Sequence, residues 1–428
     1  MIGELRSLAR PLASPADLDA LVERAAATPL VCIGEASHGT HDFYSWRAQL
    51  SQRLIEERGF TWIGVEGDWP DCWRLNRWVR GLNDVGLTGR QVLAGFSRWP
   101  TWMWANEEVA DFLDWLRDFN RGRAKAKPVG FYGLDVYSLW DSLREIMTWL
   151  NANEPEAVWA AMEAWQCFVP YDEEPQRYAW STRIVPETCE ADVVALLVEV
   201  RRRAAGHPVD DEEAFDAWQN AEVAAGAENY YRTMVQGSRE SWNIRDRHMV
   251  DTVERIATHL GPEARGLIWE HNTHVGDARA TDMAAAGMVT VGQLLRQRYG
   301  EDKVTLIGMA ARQGSVIAGG AWGEAELVMP VPEAVAGSHE DLMHRALGVN
   351  AVLDFGRYRS GPWLGARLGH RAIGVVYDPR HESGNYVPTI MGMRYDALLW
   401  FEEAVALRPL HHEEPPSEPE LETAPSGF

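Results

Sequence analysis

The sequence predicts an α/β protein, with a mixed, largely parallel sheet flanked by helices and a helical insertion forming a cap. Three observations carry that expectation. Short apolar runs alternate with amphipathic helical patterns through residues 1–153, which points to strand–helix units and parallel strand pairs. Strand signals vanish over 154–238, where only helical periodicity remains, and they resume after 239. The expected organisation is a first part of the α/β core at 1–153, an insertion or lid at 154–238, a second part of the core at 239–410, and a disordered Pro- and Glu-rich tail at 411–428. At 428 residues, 46% of them hydrophobic, the chain suits one large domain with an insertion or two tightly joined domains, with a sizeable core either way.

Taken in order, the run 29–34 (PLVCIG) reads as a buried strand. A helix follows over 41–58, with Phe43, Trp46, Leu50 and Leu54 on one face and Gly59 ending it. Residues 61–65 (TWIGV) form a second strand, and Asp71 caps a helix through Val79. A long amphipathic helix is expected at 101–120 and a third strand at 129–134 (VGFYGL). In the insertion, helices are expected at 157–167, 189–205 and 212–235. The core resumes with a helix at 241–259 and a strand at 266–269 (GLIW). Further strands are expected at 304–308, 326–329, 351–353 and 372–376. No internal repeat is visible.

A net charge of −22 argues against a nucleic-acid partner and against an anionic membrane surface, both of which need clustered Lys and Arg. The four cysteines, Cys32, Cys72, Cys167 and Cys189, are scattered and form no CxxC pair, so reduced thiols are expected rather than a zinc ribbon or disulfide framework. The opening residues lack a signal-peptide core and no apolar stretch is long enough to span a bilayer, which points to a soluble, cytoplasmic protein. Trp is abundant, with 20 copies. Most suit core packing. Trp69 and Trp102 are candidates for lining a wide apolar cleft. Oligomeric state leaves no mark on the sequence.

Ligands of open α/β sheets bind beyond the carboxyl ends of the strands. Glu35 and His38 follow the first strand, Glu66 the second and Asp135 the third. His271 and His274 follow 266–269, and Arg312 follows 304–308. Two Glu and three His at one rim suggest acid–base chemistry. The turn 34–40 (GEASHGT) is the most informative part. Gly34 and Gly39 permit a tight path, and the helix that starts near His41 brings the positive end of its dipole to the same space. Arg47, two turns into that helix, is placed to reach back. His38 is the candidate general base, and Ser37 is read as a turn residue.

No G-x-S-x-G elbow, Walker A loop or G-x-G-x-x-G follows a strand, so a serine α/β-hydrolase and a nucleotide cofactor are disfavoured and no cofactor is expected. What remains is water activated by a base. A metal site built from Glu35, Glu66, His271 and His274 is a second reading, on weak spacing. A non-catalytic protein binding a bulky hydrophobic or haem-like ligand is a third.

The segment GEASHGTHDFYSWR resembles the GEATHGT-E/D-F-x-x-x-R signature of the erythromycin esterase family, with Ser37 in place of the usual Thr. The resemblance continues through GVEGDWPDCWRLNRWVRG, VGFYGLDVYS, SWNIRDRHMVDTV, IWEHNTHVGD and VGQLLRQRYG, and covers most of residues 30–315. Glu270 stands where a small residue is common before the H-N-x-H pair. The resemblance implies a two-part α/β protein with a helical cap over a cleft. It also implies hydrolysis of a small-molecule ester, in the best-known members the lactone of a macrolide antibiotic, hence a link to antibiotic resistance. It implies His38 as the base that activates water, with Glu35, Arg47, Glu66, His271 and His274 as the accompanying site residues. Combined with the rim residues, the expected mechanism has Glu35 or Glu66 orienting His38, and Arg47 with His271 or His274 stabilising the oxyanion. Asp135, Arg312, Trp69 and Trp102 are expected to contact substrate.

Overall fold

In the computed structural model most of these apolar runs become short strands, nearly all shielded on both faces. The strands are β1 (Ala9–Pro11), β2 (Leu30–Ile33), β3 (Trp62–Val65), β4 (Gly130–Gly133), β5 (Gly266–Trp269), β6 (Val304–Gly319), β7 (Glu326–Val331), β8 (Ala351–Asp354), β9 (Arg367–Arg371), β10 (Tyr386–Ile390) and β11 (Ala397–Ala404). The structure describes residues 1–83, 86–123, 127–185, 188–208, 210–235, 237–356 and 360–412. Of the expected disordered tail, everything after His412 lies outside the described residues.

Among the described residues the main sheet has nine strands in the order β1-β8-β11-β6-β2-β5-β3-β4, with β7 paired to β6. It is α/β and largely parallel, as expected: β2 runs parallel to β5 and β6, and β11 parallel to β6. Antiparallel members collect at β8, β1 and β7. β9 and β10 form a separate antiparallel pair. The four residues of β2 are all buried, which explains their continuous apolar run, since a parallel strand covered on both faces needs no alternation. Helix His41–Arg58 follows β2 and ends at Gly59, whose φ of 69° is the left-handed cap that glycine adopts without a Cβ penalty.

Three expectations change. The helix expected over 101–120 is a short 3-10 turn, Thr101–Met103, and then helix Glu107–Arg121. The break falls at Asn106, whose side-chain oxygen accepts the Val109 N–H at 2.8 Å. Residues 372–376 are not a strand. They make isolated bridges, Ile373 to Ser37 and Val376 to Gly319, and the strand lies just before them at β9. β11 (ALLWFEEA) was not anticipated, although it sits inside the sheet between β6 and β8.

The chain folds as two compact units: 1–63 with 78–130 and 265–428, and 64–77 with 131–264. The helical unit is therefore wider than the 154–238 insertion, because it takes in helix Trp69–Val79, helix Leu139–Asn153 and helix Ser238–Leu260. Its core joins Val136, Leu143 and Ile146 to Phe168, Tyr178, Leu196, Ala221 and Tyr230. Among the described residues no helix is long and apolar enough to cross a membrane.

Cys167 and Cys189 are joined as a disulfide, which corrects the expectation of reduced thiols. The sequence hides the pair because the two are 22 positions apart, and only the packing of helices Val158–Phe168 and Glu190–Ala204 brings their Cα atoms to 5.8 Å. Cys32 and Cys72 are free and buried. A closed loop of that length is worth about 3 kcal/mol through the entropy of the unfolded chain. Replacing Cys167 by Ser is expected to lower the urea midpoint of the helical unit accordingly. A midpoint insensitive to both the substitution and to dithiothreitol would contradict this.

Acid sensitivity is built into both units. Burial pushes His339 down to about 4 and His248 down to about 3. Each stays neutral in the folded protein while the unfolded chain binds a proton below pH 6.5. Stability therefore falls as pH drops from 6.5 towards these values, by about 1.4 kcal/mol per pH unit for each histidine. Glu340, held near 2 despite its burial by the imidazole of His370, contributes stability that is present above its ordinary value and lost as pH falls towards 2. Burial pushes Asp216 up to about 8, and that group gains stability as pH falls, so the test is a difference: between pH 7.0 and 4.5 the urea midpoint of His339→Gln should change less steeply in the acid-destabilising sense than that of the parent. An unchanged slope in the variant refutes the assignment.

Candidate active site

β2 and β5 are parallel neighbours with Ile33 opposite Trp269. The chain therefore leaves both strands at one level of the sheet, through Gly34-Glu35 on one and Glu270-His271 on the other. This register brings together two histidines far apart in sequence: the rings of His38 and His271 lie 4.8 Å apart, centroid to centroid.

The turn 34–40 is held by backbone on several sides. Gly34 N–H donates to Ile307 O at 2.8 Å, and Ile373 N–H to Ala36 O at 2.8 Å. Gly39 O accepts from Ile317 and Leu407 at 2.9 and 3.0 Å. Its two glycines serve close approach: a Cβ on Gly34 would lie 2.2 Å from Asn272 Oδ1, and one on Gly39 1.8 Å from Ile317 O. The Ser37 and Thr40 hydroxyls bond each other and close the turn, which leaves Ser37 a structural member of it.

Inside this frame His38 Nδ1 is 2.9 Å from Glu35 Oε1. Glu35 is fully buried, and its other oxygen lies 3.1 Å from Arg47 Nη1. Tyr44 OH approaches Oε1 at 3.5 Å. Arg47 has no exposed surface. Its guanidinium packs over the rings of Tyr44, Trp269 and Trp104 at 4.3, 4.8 and 5.9 Å. The expected oxyanion role places Arg47 facing substrate. The structure puts it against Glu35 with no exposed surface, as the cation paired with a buried carboxylate. With Glu35 accepting the Nδ1 proton of His38, the ring's lone pair is on Nε2, the arrangement a general base needs. Glu35, one of the two carboxylates considered as His38's partner, bonds its Nδ1.

His271 has the opposite polarity. Its Nδ1 lies 2.7 Å from Thr273 Oγ1 and accepts the Thr273 N–H at 3.3 Å. A backbone N–H can only donate, so the neutral ring carries its proton on Nε2. His274, in the short helix Asn272–Val275, is buried, and its backbone N–H donates to His271 O at 2.9 Å. Glu270 is fully buried.

The second unit contains its own charged group. Arg245 donates from Nη2 to Glu66 Oε1 at 2.7 Å, and from Nε and Nη2 to Asp135 at 2.9 and 2.6 Å. Its guanidinium also lies over the Tyr137 ring at 5.0 Å. Glu66 and Asp135 thus share one buried cation. Sequence reasoning passed over Arg245 because the charge-rich helix around it reads as a solvated face. The only available signal was the family-like SWNIRDRHMVDTV segment itself.

The remaining expected contacts are placed differently. Arg312 Nη2 donates to the exposed Glu333 at 2.8 Å, an ordinary surface pair. Trp69 is fully buried against Trp73, Tyr132 and Phe215, with Nε1 donating to Asp216 at 2.7 Å. Trp102 is fully buried as well. Both are core residues, as large aromatic surfaces usually are. Among the described residues no group of three or more His, Cys, Asp or Glu is arranged to hold a metal ion. Of the set proposed for one, Glu35 bonds His38 and Arg47, and Glu66 pairs with Arg245.

Comparison with known proteins bears on this geometry. The sequence model of the erythromycin esterase family matches residues 55–404, most of the chain. This chain belongs to the erythromycin esterase family. Membership supports a hydrolase. The matched span starts after the 34–40 turn, so the case for that turn rests on its geometry. Erythromycin esterase type II of Escherichia coli is 22% identical over 65% of this chain and 68% of its own length. The "Putative hydrolase YbfO" of Bacillus subtilis (strain 168) is 21% identical over 87% of this chain and 83% of its own.

Solved structures show that the family fold extends over nearly the whole chain. A Bacillus cereus protein superposes with a TM-score of 0.80 at 20% identity, covering 96% of this chain and 98% of that one. A succinoglycan biosynthesis protein gives 0.75 at 19%, over 95% and 97%. A histidine-to-asparagine mutant of the erythromycin esterase EreC in its open conformation gives 0.67 at 15%, over 92% and 95%.

Proposed function

We propose that this member of the erythromycin esterase family hydrolyses a small-molecule carboxylic ester or lactone with water activated by His38. The observation that carries the reading is the buried chain Arg47–Glu35–His38, which orients an imidazole with its lone pair on Nε2. In the proposed reaction His38 Nε2 takes a proton from water as the oxygen attacks the ester carbonyl. The tetrahedral oxyanion is stabilised by the His271 Nε2–H. The imidazolium then returns its proton to the departing alkoxide, leaving an acid and an alcohol. Macrolide lactones are the first substrates to test, because one relative is an erythromycin esterase.

Purified protein should be assayed against a panel of macrolides and simple aryl and alkyl esters, with and without chelator, beside His38→Asn. Turnover that resists chelation and disappears in the variant supports the reading. Turnover undiminished in the variant refutes it. Cytoplasmic residence, expected from the sequence, now has to be reconciled with the Cys167–Cys189 disulfide. Non-reducing peptide mapping of protein alkylated inside its host decides whether that bond exists there.

A further inference from the structure

The His271 loop rests on a cation with an unusual environment. Arg394, at the end of the short helix Met391–Arg394, is 1% exposed. Its Nη1 donates to Thr389 Oγ1 at 2.6 Å and its Nη2 to Asn272 O at 3.2 Å. Nε has no hydrogen-bond partner, and the guanidinium carbon lies 5.3 Å from the centre of the Tyr395 ring. Among the described residues no carboxylate pairs with it. Burying a cation without a counter-ion costs several kcal/mol, and such a cost persists where something else depends on the charge. The neighbouring chain makes room for it: a Cβ on Gly276 would lie 2.5 Å from Arg394 Nε.

The acceptor identifies what depends on it. Asn272 O and Thr273 N belong to one peptide group. At one end that group receives the Arg394 hydrogen bond, and at the other its N–H donates to His271 Nδ1. A cation on the carbonyl polarises the peptide and strengthens its N–H as a donor. The rest of Asn272 is clamped, with Nδ2 on Met309 O at 2.7 Å and its own N–H on Glu35 O at 2.8 Å. The peptide therefore cannot rotate away without breaking its ties to β6 and to the His38 turn.

We propose that Arg394 is a positioning residue for hydrolysis: through the Asn272–Thr273 peptide it holds His271 in the tautomer whose Nε2–H faces the reaction. This rests on the reading of the site given above. The chemistry is that of an outer partner fixing which ring nitrogen carries the proton.

The test compares Arg394→Gln, which removes the charge, with Arg394→Lys, which keeps it. It uses 15N-histidine NMR of the full chain alongside steady-state kinetics on whichever ester is turned over. In the parent protein the His271 signals should show an unprotonated Nδ1 and a protonated Nε2. Arg394→Gln is expected to move them towards a tautomer mixture and to lower kcat by about ten- to a hundred-fold, the loss of one charge-assisted hydrogen bond, with KM nearly unchanged. Arg394→Lys should retain the parent signals and most of kcat.

Parent-like signals in the Gln variant overturn the proposal, as do equal losses of kcat in both variants with His271 unmoved. If Arg394→Gln does not fold, Gly276→Ala displaces the guanidinium while keeping its charge. It should shift the His271 signals, and their constancy would be decisive against the idea. If no ester is hydrolysed by the parent protein, the functional reading fails, and the NMR comparison still judges the link from Arg394 to His271.

Discussion

His38→Asn is expected to reduce kcat on an ester by about 10²–10⁴-fold, the range for removing a positioned general base, while leaving the fold intact. The fold should survive because the turn is held by backbone bonds that do not involve the imidazole. The loss should appear in kcat and kcat/KM together, since the base acts in the transition state. Glu35→Gln is the informative companion. It keeps the shape of the carboxylate but removes the charge that both His38 Nδ1 and Arg47 require. It should therefore impair turnover and also destabilise the protein, because Arg47 would be left buried without its counter-ion. A His38→Asn enzyme with parental kinetics would remove His38 from the mechanism.

Arg245→Met should produce the largest loss of stability. Glu66 and Asp135 are both buried and both pair with this guanidinium, so the variant removes the cation that the two carboxylates share. Removing one member of a buried charged group typically costs about 3–5 kcal/mol. Urea denaturation of parent and variant at pH 7 measures it. A deficit below about 1 kcal/mol would show that the cluster is not held as described.

Arg245 and Arg47 illustrate where sequence reading succeeds and where it stops. Arg47 was singled out because it stands two turns into a helix that starts at a conspicuous turn, and helical geometry is local. Its role was misplaced, because helical spacing gives the face of a residue but not whether water, substrate or Trp104 and Trp269 lie against that face. Arg245 was overlooked for the same reason in reverse: its helix is rich in charge and only packing shows which one turns inward. Trp69 and Trp102 were assigned to a cleft, yet an aromatic residue after a strand can equally fill the core, and these two do.

The α/β class, the first strands and the candidate His38–Glu35 pair were legible because they depend on periodicity and on turn chemistry within a few residues. Tertiary structure alone decided the partners. The register of β2 against β5 sets His38 beside His271. The packing of two helices joins Cys167 to Cys189. The order of strands puts β11 inside the sheet and carries Arg394 to the back of the His271 loop. These are contacts between segments distant in the chain. Their geometry depends on which apolar faces find each other on folding, and no local pattern of residues encodes that.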